Sequence, residues 1–235
     1  MSIEELLKSN NIEVIVSKKR DILSSLRSLD KKEREYAWKA LSLIVKFSKE
    51  KITNKDKMFI RSLLWNKYRE VREDAWRNLE LFKYLNIKGV ERTLNANSDK
   101  LKFSAWANVI SMIELGFVEK DDIIQLRYSF WRLLKSRIGT IRRKSWKLFV
   151  ELVDAGIFLP ADKERFKAYL SHKKMGIRIN AWSTVPKLLE KKFLNYEDIK
   201  NEIKEIESIS ELKNRIGYKA KYILDNISKI IKDFK

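Results

Sequence analysis

The residues best suited to chemistry in this sequence are basic residues and tryptophans that recur together. One stretch reads Ile141-Arg142-Arg143-Lys144-Ser145-Trp146, and its outline is aliphatic, basic, two variable residues, small and Trp. A basic residue and a Trp four positions apart share one helix face, where they can contact phosphates and stack on nucleobases. The outline occurs in four full copies and one weaker copy, which end at Trp38, Trp76, Trp106, Trp146 and Trp182.

The basic position of this outline needs a compensating group. It is expected in the first turn of a helix, where the helix dipole makes a cation unfavourable by about 0.3–1 kcal/mol. The compensator is either an acid or carbonyl of the protein, or an external anion bound by the cation and the helix end together. For Arg142 and Arg178, whose surroundings in the sequence contain no acid, we favour the anion. The five basic residues are Arg34, Arg72, Lys102, Arg142 and Arg178.

Two interpretations of the tryptophans remain open. On a helical wheel each Trp lies about 80–90° from the centre of the apolar stripe, given about 100° per residue, and is therefore a boundary residue. It either packs between neighbouring repeats or is partly exposed to the inner surface. Packing is the favoured interpretation, and Trp146 and Trp182 are retained as candidate stacking partners.

The sequence offers few residues for catalysis or metal binding. It has no cysteine and one histidine, His172, so a metal cluster or a histidine-based triad is not expected. The six glycines form no phosphate-binding loop. Glu114, Asp154 and Glu190 each stand eight residues after a Trp, and this repetition favours ion pairs over a catalytic acid. We expect no enzymatic activity, no cofactor and no metal.

The elements that position these residues are predicted to be helical pairs. The tryptophans are separated by 38, 30, 40 and 36 residues, a period typical of stacked helical repeats. Apolar residues at −5, −1, +3 and +6 from Trp form one helical stripe. Ten residues after Trp a helix stop is predicted, followed by an apolar residue as in a Schellman cap. The stop positions are Asn86, Gly116, Gly156 and Lys192.

We predict one domain over 1–235, with an N-terminal cap at 1–29, core repeats at 30–192 and a C-terminal capping pair at 193–235. The cap is predicted to contain helices over 3–8 and 14–29 separated by Asn10-Asn11, and the last pair helices over 196–207 and 210–233. Asp30 and Glu33 have the spacing of a capping box. Pro186 is predicted to kink the last Trp-bearing helix.

Charge is the most informative bulk property. The net charge is +19, and two windows contain no acid at all: 127–147 with eight basic residues and 165–189 with six. Such a field attracts a polyanion such as nucleic acid. A general lysine bias of the genome is the alternative explanation, although it would not account for the absence of acidic residues from these two windows.

The helical-pair pattern resembles HEAT repeats over 30–192 and, with fewer matches, over 193–235. The resemblance implies an all-α fold, a right-handed α-α superhelix of about five to six helical pairs. It implies little about activity, because HEAT proteins include scaffolds, transport receptors, enzyme subunits and nucleic-acid binders. HEAT repeats often carry an aspartate in the turn, six residues before the basic position. Here those positions hold Asn66, Ala96, Ser136 and His172, so the usual acidic partner is missing.

We therefore expect a non-catalytic protein that binds the nucleic-acid backbone with little sequence preference, DNA rather than RNA, through a basic concave face. A scaffold for an acidic protein partner is the alternative, and a HEAT-like alkylpurine DNA glycosylase is a second one. The acidic N-terminus and the lack of a long apolar run predict a cytoplasmic protein without a membrane span. The residues expected at the interface are Arg72, Lys102, Arg137, Arg142, Arg143, Lys144, Lys147, Lys173, Lys174, Arg178, Trp146 and Trp182.

Overall fold

The computed structural model describes residues 2–9 and 11–233, which form helices and turns without any β-strand. The predicted all-α class is confirmed over these residues. The chain divides into two compact units, Met1–Glu119 and Lys120–Lys235, and each is described by itself. The single domain over 1–235 stays a prediction. In the described part of the chain no helix has both the length and the apolar character needed to cross a membrane.

Each unit is a series of helices, most of them short. The helices of the first unit are α1 (Ile3–Ser9), α2 (Ile12–Ser17), α3 (Lys19–Ser25), α4 (Lys31–Phe47), α5 (Asn54–Ser62), α6 (Arg69–Arg77), α7 (Leu79–Tyr84), α8 (Asp99–Trp106) and α9 (Val109–Glu114). Those of the second unit are α10 (Lys120–Leu126), α11 (Tyr128–Leu133), α12 (Gly139–Asp154), α13 (Lys163–Lys167), α14 (Met175–Trp182), α15 (Val185–Glu190), α16 (Tyr196–Ile199), α17 (Ile203–Ser210) and α18 (Arg215–Asp233). Short 3₁₀ turns lie at Lys49–Lys51, Leu63–Trp65, Glu91–Asn95 and Pro160–Asp162.

The N-terminal cap differs from its prediction in two ways. The helix expected over 14–29 is two helices, α2 and α3, divided at Lys18, whose N–H is shared between the carbonyls of Val14 and Ile15. Asp30 does cap α4 by accepting from the N–H of Glu33, but the Glu33 carboxylate accepts from the hydroxyls of Ser25 and Ser28 instead of closing a capping box. Asn10 lies outside the described residues.

The predicted apolar stripe forms the core of each unit. In the copy ending at Trp76 the side chains at −5, −1, +3 and +6 are all buried, and the same holds for the copy ending at Trp146. In the second unit the stripe meets a cluster of aromatic rings, in which Phe149 lies with its centroid 4.7 Å from that of Phe158 and 5.6 Å from that of Phe166. Burial of this surface is the main force holding the helices of a unit together.

The four predicted stop signals are confirmed. Asn86, Gly116, Gly156 and Lys192 all have φ between 55° and 68°, the left-handed region. At each stop the next residue donates its N–H to a carbonyl five residues earlier, as Ile157 does to Leu152 at 2.9 Å. This is the hydrogen-bond pattern of a Schellman cap. The cap turns the chain out of one helix at a defined angle and so fixes the entry to the next.

The helices that carry the tryptophans are continuous in two copies and broken in three. A helix end follows Arg77, Trp106 and Trp182, whereas α4 and α12 run through. The residue two positions after Trp decides this. Asn78 and Asn108 donate their side-chain amides to carbonyls four residues earlier, and Thr184 donates its hydroxyl to the carbonyl three residues earlier. Such bonds compete with the regular hydrogen bonds of the helix. The predicted kink at Pro186 is instead a break before α15, and the same break occurs in two copies that have no proline.

Three acid–base pairs link residues at helix starts that are 35 to 37 positions apart in the sequence. In each pair an aspartate also accepts the N–H of the residue three positions before it, at the start of its own helix. The pairs are Lys19–Asp56 at 2.6 Å, Arg127–Asp162 at 2.9 Å and Lys163–Asp198 at 3.0 Å. Burial alone would raise the pKa of Asp198, but its hydrogen bonds with Asn195 and Lys163 outweigh burial and lower it. An acidic ladder therefore exists, at the helix starts and not in the turns.

Gly217 allows the final two helices to pack closely. A Cβ at this position would lie 1.9 Å from the carbonyl oxygen of Leu212 and 3.2 Å from that of Ile209. Only a residue without a side chain fits there, and this contact sets the approach of α18 to α17. The sequence pattern is weakest here, because the turn before α18 departs from the register of the earlier copies.

Lys192 is a non-glycine residue at a left-handed helix stop, so Lys192→Gly should stabilise the protein. Relief of the left-handed strain, less the added entropy of glycine in the unfolded chain, should raise the free energy of unfolding by about 1 kcal/mol. Urea unfolding measures the change. Lys187→Gly, the same substitution inside α15, should instead lower the free energy of unfolding by about 1 kcal/mol. A loss of stability in Lys192→Gly would contradict the assigned stop.

Candidate nucleic-acid interface

The repeated arginines fold back onto the turn that precedes their own helix. Nη1 of Arg34, Arg72 and Arg142 donates to the carbonyl six residues earlier, at 3.0, 2.7 and 2.8 Å. Arg34 and Arg72 also reach the carbonyl five residues earlier, each at 3.1 Å. The compensating group is thus a backbone carbonyl of the turn, and a cation beside such carbonyls is favourable because they carry partial negative charge. The external anion favoured for Arg142 is not needed to explain its position.

Two further arginine contacts come from neighbouring helices. Nε of Arg34 donates to Asp74 at 2.6 Å, which ties α4 to α6. Arg178 pairs with Glu205 of α17 at 2.9 Å, so the expectation that no acid lies near Arg178 is wrong. The pairing was hidden in the sequence because Glu205 is 27 residues away. In Arg72, Arg142 and Arg178 the Nε atom is buried and has no hydrogen-bond partner among the described residues.

Burial removes Arg72 and Lys102 from the interface predicted for them. Each has only 3% of its surface exposed. A phosphate contact would require these side chains to leave the turn, and it would leave the carbonyls that Arg72 binds without a donor. Both residues therefore belong to the fold, and their assignment as phosphate contacts is corrected.

The tryptophans pack inside the units. Trp146 and Trp182 are 1% and 0% exposed, so neither ring offers a face to a nucleobase and the stacking interpretation is corrected. Their indole Nε1 atoms donate to the carbonyl oxygens of Leu134 and Leu170 at 3.1 and 3.0 Å, and Trp106 donates to Leu94 at 3.2 Å. In each case the acceptor is twelve residues before the Trp, at the end of the preceding helix.

Trp38 and Trp76 differ from the other three tryptophans in their hydrogen bonding. Their Nε1 atoms are buried and have no acceptor in the part of the chain that the structure describes. These are the copies in which the arginine, Arg34 or Arg72, binds two turn carbonyls. In the copy with Arg142, the arginine binds the carbonyl of Ser136 and Trp146 binds that of Leu134. Arginine and tryptophan therefore bind different carbonyls at the turn.

The remaining predicted residues are exposed cations in the second unit: Arg137, Arg143, Lys144, Lys147, Lys173 and Lys174. Lys173 and Lys174 lie in the turn before α14, next to His172. Burial and the positive charges of Lys135, Lys173 and Lys174 lower the pKa of His172. The turn therefore groups several positive charges, as the acid-free windows predicted.

Arg143 and Lys147 line one open groove with Lys219 of α18, and we call it the cationic groove. It has a volume of about 700 Å³ and is bordered by α12, α14, α15 and α18. Arg143 and Lys147 are one turn apart on α12 and face the groove together. Lys144, between them in sequence, does not line it.

The pKa of Lys219 is affected by its surroundings in this groove. Burial, followed by the charges of Arg143 and Lys147, lowers the pKa of Lys219, although the residue keeps an exposed surface. None of these three cations has a carboxylate within salt-bridge distance among the described residues. Three like charges that converge in this way are mutually destabilising, and an anion placed between them would relieve the repulsion.

Three lysines of the groove were missed by sequence reasoning: Lys187, Lys191 and Lys219. Lys219 had a usable signal, because it follows Tyr218 as Lys147 follows Trp146, but the register of the last pair was uncertain. Three acids also line the groove, Glu151, Asp154 and Glu190, and Asp154 pairs with Lys191 at 2.6 Å. That pair agrees with the ion-pair interpretation of Asp154. No group of three or more potential metal ligands occurs in the described residues.

The Arg34–Asp74 pair gives a direct test of the structural role of the repeated basic residue. Asp74→Asn leaves the nearly buried guanidinium of Arg34 without its carboxylate, so we expect a loss of about 3 kcal/mol in the free energy of unfolding. Asp154→Asn, which breaks the more exposed pair with Lys191, should cost less than about 1 kcal/mol. Urea unfolding of both variants measures the difference. Equal losses would show that Arg34 does not depend on Asp74.

No protein-family model matches this sequence, and no curated protein matches it. Solved structures with some likeness include two crystal structures of engineered proteins from the Northeast Structural Genomics Consortium. One has 14% identity and a TM-score of 0.42 over 91% of this chain and 97% of its own length. The other has 18% identity and a TM-score of 0.41 over 96% of this chain and 60% of its own. Likeness at this level carries no argument about the fold or the function.

Proposed function

We propose that this protein binds nucleic acid through its phosphate backbone, with the cationic groove of the second unit as the main contact. The observation that carries the proposal is the convergence of Arg143, Lys147 and Lys219, none of which forms a salt bridge within the described residues, although Glu151 lines the same groove one turn after Lys147. A folded protein has to offset such repulsion, and a polyanion offsets it while releasing its own counterions. Contacts of this kind are made to the backbone and carry little sequence preference.

The exposed turn cations extend this surface. Arg137, Lys173 and Lys174 lie in the turns before α12 and α14, and Lys144 lies in the second turn of α12. We assign them secondary phosphate contacts, since all four side chains are exposed. Burial, and after it the charges of Lys135, Lys173 and Lys174, lower the pKa of His172 in the same turn. Arg142 and Arg178 are excluded as primary contacts because they already bind Ser136 and Glu205.

For the ligand, the lack of catalysis and the cellular location we propose what the sequence predicts. DNA is proposed over RNA, the protein is proposed to be non-catalytic, and its location to be the cytoplasm. Within each unit we propose that the helical pairs stack in the right-handed manner of HEAT repeats. The recurring helix stops and the Trp–Leu bonds at a spacing of twelve residues support that proposal.

The proposal predicts the effect of removing the groove cations together. The variant Arg143→Gln, Lys147→Gln and Lys219→Gln should bind a DNA duplex more weakly. The slope of log affinity against log salt should become less steep by about 2–3, since each phosphate contact contributes about 0.9. Fluorescence anisotropy of a labelled oligonucleotide at several salt concentrations measures both quantities.

A matched control separates groove contacts from net charge. Lys221, Lys229 and Lys232 are exposed on α18 and do not line the groove. Replacing these three by Gln removes the same charge, so it should leave the salt slope within about 1 of the unmodified protein. Equal effects of the two triple variants would reject the groove as the site. If the unmodified protein binds neither duplex nor single strand at low salt, the proposed function is wrong and a scaffold for an acidic protein takes its place.

A further inference from the structure

The first unit contains a second groove with a different character, in which exposed aromatic rings accompany the cations. Phe47 at the end of α4 and Tyr84 at the end of α7 are 57% and 55% exposed. Tyr36, farther back on α4, is half-buried. Large aromatic side chains are costly to leave in water, so their grouping on one surface needs an explanation.

Tyr36 and Tyr84 line two adjoining cavities, which together we call the aromatic groove. One has a volume of about 400 Å³ and is lined by Lys46 and Tyr84. The other has a volume of about 600 Å³ and is lined by Tyr36 and Lys39. Both are bordered by Ser42 and Asn78, so they form one continuous depression against α4 and α7. Phe47 lines neither cavity, but it directly follows Lys46 of the groove at the end of α4.

Each ring is accompanied by a lysine. The ammonium of Lys49 lies 4.2 Å from the ring centroid of Tyr84, that of Lys46 lies 5.2 Å from Phe47, and that of Lys39 lies 6.0 Å from Tyr36. A cation at these distances is attracted to the ring face.

The lysines beside the rings are free to meet an anion. Lys39 and Lys46 line the groove, and Lys49 lies over the ring of Tyr84. Lys39, Lys46 and Lys49 form no salt bridge within the described residues. The other two cations of the groove are already neutralised, since Lys8 pairs with Glu4 at 2.8 Å and Arg77 pairs with Asp74 at 2.6 Å. The charge available to a ligand therefore lies beside the aromatic rings.

We propose that the aromatic groove binds single-stranded nucleic acid, with bases stacked on Tyr84 and Phe47 and phosphates held by Lys39, Lys46 and Lys49. Alternating rings and cations fit a strand whose unpaired bases alternate with phosphates. A duplex keeps its bases stacked on each other and cannot use the rings. The inference rests on the proposed function and deepens it by naming the single strand as the form bound in the first unit. It also moves the stacking role from the buried tryptophans to side chains that are accessible.

The test replaces the two exposed rings by aliphatic side chains. In the double variant Phe47→Leu and Tyr84→Leu the affinity for an oligothymidylate should fall at least about tenfold, because each stacked base contributes substantially to binding. Affinity for a duplex of the same length should stay within about twofold. Fluorescence anisotropy measures both affinities, and the conservative variant Phe47→Tyr with Tyr84→Phe should restore single-strand binding if the rings act as stacking surfaces.

Controls distinguish the possible outcomes. Tyr68 is another exposed tyrosine of the first unit, with Lys67 at 4.9 Å from its ring centroid, but neither Tyr68 nor Lys67 lines the groove. Tyr68→Leu should therefore leave both affinities unchanged. An unchanged single-strand affinity in the double variant would overturn the inference, as would an equal loss for single strand and duplex. The proposed function would survive either result, because it requires only the cationic groove and its salt dependence.

Discussion

The turn between paired helices imposes the constraint on which this structure depends. A helix ends with carbonyl oxygens that have no partner inside the helix, and burying them unpaired is costly. Here the donors come from the next helix of the pair, as an arginine guanidinium that reaches back five or six residues and an indole N–H that reaches back twelve. One recurring outline of basic residue and Trp therefore closes the turns, and it sets the spacing at which arginine and tryptophan must appear.

This constraint decides which cations remain for a ligand. Arg72 is buried in its turn, and Arg142 already donates to Ser136. Arg143 and Lys147 are exposed and make no ion pair within the described part of the chain. They line the same groove as Lys219, whose pKa is lowered first by burial and then by their positive charges. The net charge of the protein thus has two components, one consumed by the fold and one directed at a groove.

Sequence reasoning predicted the features that depend on local periodicity. The helix stops at Gly156 and Lys192, the buried stripe and the all-α class all follow from spacing along one helix. Contacts between helices were harder to predict from the sequence. The acid beside Arg178 is Glu205, and the third cation of the groove is Lys219; both lie in the terminal helices, where the register was uncertain. Packing of the tryptophans was the favoured interpretation, but the backbone carbonyls that accept from Trp106, Trp146 and Trp182 are displayed by no side-chain pattern.

The most direct test of this division between fold and ligand compares two neighbouring arginines under the same substitution. Arg142→Ala should lower the free energy of unfolding by about 1.5–3 kcal/mol, since it removes a charged donor from a turn carbonyl, with little loss of affinity for DNA in the folded protein. Arg143→Ala should do the reverse, with unchanged stability and weaker, less salt-dependent binding. Urea unfolding and anisotropy titration on both variants give the four values. If Arg142→Ala weakens binding without destabilising the protein, the repeated basic residue serves the ligand and the account is wrong.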